Sequence, residues 1–248
     1  MSMQIGGLAD VNAALDQMEL GMQEISLILI RKESESLGLS KLIDKAKNLD
    51  VKIIEASDND ISRMAVGVVP GEKSPEVLAL VGRDSDGSLN EVFERGGLVW
   101  LLQGISYTGN AGFSIRTAEV SGADAILIDA DFGHDERRNA ERQSVRSHRF
   151  IPTIWTSSCE AVEAAKVAGF RIIAVEDVGT VEPWDCDLTG NVLCVVGSER
   201  NGISQWLLDE AEQIVRLPMA GFVPSYNLQV AVSVVALEAL RQRRDFPI

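Results

Sequence analysis

From residue 97 onward, short apolar runs alternate with longer stretches of helical periodicity. LVWLLQ, AILIDA, RIIAVE, NVLCVVG and IVRLP have the length and β-branched content of buried strands. Between them AGFSIRTAEVSGA, RRNAERQSVRSH, SCEAVEAAKVAGF and ISQWLLDEAE read as helices, the first and third closed by Gly122 and Gly169. NLQVAVSVVALEALRQRR reads as a long final helix, apolar nearly all round from Leu228 to Leu240. Strands alternating with helices predict a mainly parallel sheet covered on both faces. Upstream, residues 25–81 predict a smaller α/β unit. Its strands are ISLILI, VKIIEA, AVGVV and EVLALV, and its helix carries Leu37, Leu39, Leu42, Ile43 and Ala46 on one face. Residues 1–20 predict a short amphipathic helix through Leu8, Val11, Leu15 and Met18, and the polar stretch GRDSDGSLN predicts a linker over 82–90. The chain is therefore expected to be α/β throughout, with a small domain over 1–87 and a larger one over 88–248.

A length of 248 residues allows two such cores. No apolar run approaches the roughly 20 residues of a membrane span, and nothing at the start reads as a secretory leader. A cytoplasmic protein is expected. The three cysteines, Cys159, Cys186 and Cys194, are too few and too scattered for a disulfide framework.

The net charge of −14 argues against a nucleic-acid partner, but local clustering matters more than the total. One basic cluster stands out. HDERRNAERQSVRSHRF holds Arg137, Arg138, Arg142, Arg146 and Arg149 with His148. It reads either as a phosphate-binding surface or as a solvated helix laced with ion pairs.

Candidate chemistry gathers where strands end. QGISYTGNAGFSIRTA, VVGSERNG and LPMAGFVPSYNLQV each leave a strand through glycine and polar residues. In parallel sheets ligands bind at such carboxyl ends. Gly197 would let a ligand approach the backbone closely, with Ser198 and Glu199 as a polar wall. No G-x-G-x-x-G and no Walker lysine is present. Two histidines cannot build a three-histidine site, and Asp129, Asp131, His134 and Asp135 read as a solvated loop before a hard-metal site. No metal is expected.

Together the three segments resemble the three motifs of SpoU/TrmH-type RNA ribose 2′-O-methyltransferases of the SPOUT superfamily. The first matches at Asn110 and Arg116, the second at VVGSERNG, and the third at the Pro218-Met219 pair and Ser225-Tyr226-Asn227. The resemblance covers roughly 88–248, and residues 1–87 are more loosely similar to the small RNA-binding domain many relatives carry. It implies a deep trefoil knot, a homodimer, and S-adenosylmethionine held by Gly197, Leu217, Tyr226 and Leu228. It further implies catalytic-type roles for Arg116, Asn110, Glu199, Ser225 and Asn227. Structured RNA, ribosomal or transfer, is the implied substrate, with Arg138, Arg142, Arg146 and Arg149 as its binding surface. Glu199 is expected to face Arg116 across the site, and Ser225 to sit where an N-cap would.

Several positions depart from that pattern. Tyr226 replaces a usual leucine, Gln103 a usual aspartate, Tyr107 another frequent acid, and Arg146 a customary glycine. Ala65-Val66-Gly67 stands where histidine-x-glycine is often found. These leave two other readings open: a non-catalytic RNA-binding protein that keeps the fold, and a small-molecule enzyme on a nucleotide-binding sheet.

Overall fold

The computed structural model describes residues 3–65, 74–82, 84–223 and 225–244. They divide into two compact units on either side of the Ser85–Asp86 bond.

In the first unit, β1 (Met3–Gly6), α1 (Leu8–Glu19), β2 (Ile25–Arg31), α2 (Leu39–Asn48), β3 (Lys52–Ala56), α3 (Asp58–Met64) and β4 (Val77–Val81) follow in order. The strands form a mixed sheet, β1-β4-β2-β3, parallel only between β2 and β3. The predicted helix over 1–20 is thus a strand followed by a helix. Residues 3–6 pair antiparallel with 78–81, a long-range partnership that local periodicity does not register. Leu37 precedes α2 and is 99% exposed, whereas Leu39, Leu42 and Ala46 are buried as the helical pattern requires. The expected strand AVGVV begins at Ala65, which closes α3, and its remaining residues lie outside the described ones. Helix α3 itself starts from a capping box between Ser57 and Asp60.

The second unit opens with α4 (Leu89–Arg95), capped by Ser88 and Glu91, which begins in the last residues of the segment expected to be a linker. It continues through β5 (Leu98–Gln103), α5 (Thr108–Val120), β6 (Ala125–Asp129), α6 (His134–Gln143) and β7 (Thr153–Trp155). Then come α7 (Ser158–Val167), β8 (Arg171–Val175), β9 (Val192–Val196), α8 (Gln205–Glu210), β10 (Gln213–Val215) and α9 (Leu228–Arg243). The six strands are all parallel, in the order β10-β8-β9-β5-β6-β7. The three-residue strand β7 was too short for the hydrophobic pattern to show.

Strand β5 explains why both faces are covered. Leu98, Trp100 and Leu102 point into a core shared with α5 and α9, through Ile115, Ala118, Val232 and Ala236. Val99 and Leu101 point into a second core with α4, α7 and α8, through Phe93, Val162 and Leu207. All six residues of the strand are buried. Helices α5 and α6 meet with no room for a side chain at the crossing. A Cβ on Gly112 would lie 2.5 Å from the Ala140 carbonyl oxygen and 2.7 Å from Gln143 Cβ.

After β5 the chain turns towards β6, and after β9 it turns towards β10, on the other side. The connections diverge between these two neighbours, which opens a crevice at their carboxyl ends. The site is built there.

Candidate active site

Three loops converge on this crevice, and their side chains fix one another. Asn110, in the first turn of α5, donates from Nδ2 to Glu199 Oε1 at 2.6 Å. Its Oδ1 accepts from Asn227 Nδ2 at 3.3 Å. Asn227 Oδ1 in turn accepts the Gln229 amide at 2.9 Å, and Glu199 Oε2 accepts the Ser106 amide at 3.3 Å. A carboxylate can only accept, so Glu199 dictates the orientation of Asn110, which dictates that of Asn227. One residue from each strand-end motif takes part.

Asn227 is itself the N-cap of α9. The capping role expected of Ser225 therefore belongs to Asn227, two residues closer to the helix than the sequence suggested. Ser225 lines the adjoining cavity.

That cavity, about 420 Å³, lies against the ends of β8 and β9 and the loop before α9. All four residues expected to hold a cofactor, Gly197, Leu217, Tyr226 and Leu228, line it. Glu176, Asp177 and Arg216 also line it and carried no motif by which the sequence alone would single them out. The Tyr226 hydroxyl donates to the Pro218 carbonyl at 3.0 Å, so this departure from the family pattern ties the loop across its own neck.

Gly197 lines the cavity, but its lack of a side chain has another cause. A Cβ there would lie 2.0 Å from the Gly202 carbonyl carbon and 2.2 Å from the Ile203 nitrogen. The chain itself makes the close approach. A bulky residue at 197 would break the loop rather than merely exclude a ligand. Gly202 adopts φ +63°, a left-handed conformation, and a Cβ on it would meet the Glu176 carboxylate at 2.6 Å.

Arg116 does not join this cluster. It is exposed on α5 and makes no hydrogen bond or ion pair among the described residues. It lines a second cleft of about 570 Å³ between α5 and α9, with Phe113, Val120, Gln229 and Leu237. The expected Arg116–Glu199 pairing is replaced by the contacts of Glu199 with Asn110 and Ser106.

The arginine cluster spans α6 and the 3-10 turn Ser147–Arg149. Arg138, Arg142 and Arg149 are exposed and make no ion pair among the described residues, which counts against the ion-pair-laced alternative. Arg137 is turned onto its own fold, with Nε donating to the Phe132 carbonyl at 3.1 Å and the guanidinium 5.0 Å from the Trp155 ring centre. Arg146 adopts φ +73°. Burial pushes the His148 imidazole below its usual pKa, and Ser144 Oγ lies 2.9 Å from its Nδ1.

The remaining chemistry is structural. None of the three cysteines is bridged, and burial pushes the Cys194 thiol up to about 12. Asp129 accepts from the amide and hydroxyl of Ser158 at the start of α7. Among the described residues, no group of three side chains could hold a metal ion. No helix among them is long and apolar enough to cross a membrane.

Comparison with known proteins decides the family. A model of the SpoU rRNA Methylase family matches residues 97–237, more than half of the chain and every residue of the crevice just described. The chain belongs to this family. It is 25% identical to the 23S rRNA (guanosine-2′-O-)-methyltransferase RlmB of Haemophilus ducreyi, over 98% of this chain and 99% of that one. Its fold matches an AdoMet-bound rRNA methyltransferase from Sinorhizobium meliloti with a TM-score of 0.60 at 22% identity, covering 98% of this chain and 88% of the other. The TrmH/SpoU tRNA modifying enzyme of A. aeolicus matches with a TM-score of 0.55 at 26% identity, over 62% of this chain and 80% of that one. As a member of the SpoU family, the chain is an RNA ribose 2′-O-methyltransferase that uses S-adenosylmethionine.

Proposed function

We propose that this chain methylates a ribose of structured ribosomal RNA, with Asn110, Glu199, Ser225 and Asn227 organising the reaction centre and Arg116 acting on the hydroxyl. The observation that carries this reading is the hydrogen-bonded chain from Asn227 through Asn110 to Glu199, which joins all three motifs beside one cavity. Ribosomal rather than transfer RNA is favoured by coverage. The Haemophilus rRNA enzyme matches nearly the whole chain, whereas the tRNA modifying enzyme matches 62% of it.

The cavity suits S-adenosylmethionine. About 420 Å³ is within the range of small-molecule sites. Val175, Val196 and Leu217 offer apolar walls to a nucleoside, and the Glu176 and Asp177 carboxylates favour a cation. When bound, the cofactor supplies a methyl group activated by a sulfonium. The chain must then align the ribose oxygen and stabilise it as its proton departs. Arg116 remains protonated under nearly all conditions, so it stabilises the developing alkoxide and the neighbouring phosphate rather than taking the proton. Asn110 and Asn227, already oriented by Glu199, direct ribose and phosphate without reorganising. Arg138 and Arg142 on α6, with Arg146 and Arg149 at the 3-10 turn after it, hold RNA beside α5.

We further infer a homodimer through α9 and α5. Val230, Val234 and Leu237 form one stripe on α9 and are 38%, 36% and 63% exposed, and Leu237 shares a cleft with Phe113 and Val120 of α5. Exposing such a stripe is costly at roughly 25 cal/mol per Å². A trefoil knot and a cytoplasmic location belong to the same reading.

The test is transfer of radiolabelled methyl from S-adenosylmethionine into RNA, followed by alkaline hydrolysis. Methylation of a 2′-oxygen leaves label in alkali-resistant dinucleotides. Label in mononucleotides would place the methyl on a base. Cofactor binding by calorimetry without any transfer would favour the non-catalytic RNA-binding alternative.

A further inference from the structure

Strand β9 leads into the loop 197–204, and that loop carries Glu199. On its return it is gripped from both neighbouring strands. Glu176, just past β8, accepts the Ile203 amide at Oε2, 2.7 Å away. Gln103, the last residue of β5, grips the next residue: its Oε1 accepts the Ser204 amide at 2.8 Å and its Nε2 donates to Ser204 Oγ at 2.8 Å. Gln103 is only 9% exposed, so both bonds are sheltered from water. Within the loop, Ser198 and Gly202 exchange backbone hydrogen bonds at 3.2 and 3.0 Å, and Ser198 Oγ accepts the Asn201 amide at 3.1 Å. A displacement at 203–204 is therefore passed through this closed turn to Glu199.

We infer that Gln103 is a positioning residue for the methyl-transfer centre, acting through Ser204 to hold Glu199 where it orients Asn110. The inference rests on the functional reading above. It also accounts for a glutamine where the family pattern leads one to expect aspartate. A two-pronged amide reaches both the N–H and the hydroxyl of Ser204, and a shorter carboxylate on the same strand end would not span that distance.

Two substitutions separate positioning from bulk. Q103L keeps much of the volume and removes both bonds. Q103E keeps them, because the Ser204 hydroxyl can turn to donate to the carboxylate while the amide still donates. Misplacement on the scale of an ångström can cost up to roughly 10²-fold in rate. Q103L is expected to lower kcat by about tenfold or more, with KM for RNA and the cofactor Kd within about threefold, and Q103E to restore turnover to within about threefold of wild type. An activity-independent measurement accompanies these. Hydrogen exchange at the Ser106 amide, which Glu199 accepts, should speed up about tenfold in Q103L and remain slow in Q103E.

Wild-type kcat in Q103L, equal losses in the two variants, or unchanged exchange at Ser106 would overturn the inference. If Q103L does not fold, S204A removes only the hydroxyl prong. It should still lower kcat by about threefold, and wild-type turnover there would overturn the inference as well. A wild-type protein that transfers no methyl to RNA would sink the functional reading, while the exchange measurement would still decide the role of Gln103.

Discussion

Helix α5 has a different kind of cleft on each side. Towards the ends of β8 and β9, Asn110, Glu199 and Asn227 hold one another in a fixed order, and each donor meets an acceptor. Towards α9, Arg116 has no partner among the described residues, and Phe113, Val120 and Leu237 around it are 47%, 70% and 63% exposed. The polar bridges across that side, Gln229 Nε2 to Thr117 Oγ1 at 3.4 Å and Thr117 Oγ1 with Ser233 Oγ at 3.4 Å, tie the helices together and leave Arg116 out. A single chain completes the first cleft. The second is shaped for something brought to it, RNA and a second copy in the proposed reading. Preorganisation and recruitment are thus separated by one helix.

The largest effect should come from the unpartnered side. R116A is expected to reduce methyl transfer by about 10²-fold or more, the order seen for loss of one oriented charge stabiliser. RNA and cofactor affinities should change little. Since the arginine has no structural partner to lose, its removal should also leave the melting temperature in place. Full methyl transfer by R116A would remove it from the reaction and leave the partnered cleft as the whole site.

Next in size is the apolar stripe. L237E places a charge in the centre of the proposed dimer contact and should convert the sedimenting species to a monomer at micromolar concentration. A wild-type protein that sediments as an active monomer would refute the dimer. The second cleft would then be open to RNA alone.

The arginines of α6 and of the turn that follows it should give smaller, graded losses. R142A and R146A are expected to weaken RNA binding, each lowering the slope of log K against log salt by about one unit. Cofactor affinity should hold, because the cavity is lined by other loops. If cofactor binding fell instead, the cluster would be a structural support for the site.

Periodicity could read the second unit because its strands are buried on both faces and its helices fill the gaps between them. It could not read β1 or β7. The first depends on a partner some 75 residues away and the second spans only Thr153–Trp155. It passed over α4 because seven residues, announced by a capping box, look polar when only Val92 and Phe93 are buried. The motifs located the site but not its wiring. Glu199 was expected to face Arg116 and instead orients Asn110, a choice made by the packing of two loops. Asn227 was expected only at the reaction centre, with Ser225 as the cap, yet Asn227 is the cap. Gln103 looked like a mere deviation until Ser204 appeared opposite it. In each case the residue was visible and its partner, supplied by the fold, was not.

The smallest expected effect separates the two roles an arginine can have on this surface. Arg146 occupies a position where relatives customarily have glycine, and its backbone shows why, with φ +73° following φ +51° at Val145. A left-handed conformation costs a residue with a Cβ roughly 1–2 kcal/mol, and glycine avoids that cost. R146A and R146G both remove the guanidinium, but only R146G relieves the backbone. R146G should therefore be about 1 kcal/mol more stable than R146A, which corresponds to roughly 2–4 °C in melting temperature for a unit of this size. Their RNA affinities should be lowered equally, since the phosphate contact is lost in both. If R146G were instead the less stable of the two, the turn would not be strained, and the retention of arginine there would need no reward from RNA. Equal stabilities with unequal RNA affinities would point to loop geometry, rather than charge, as what the substrate reads on this face.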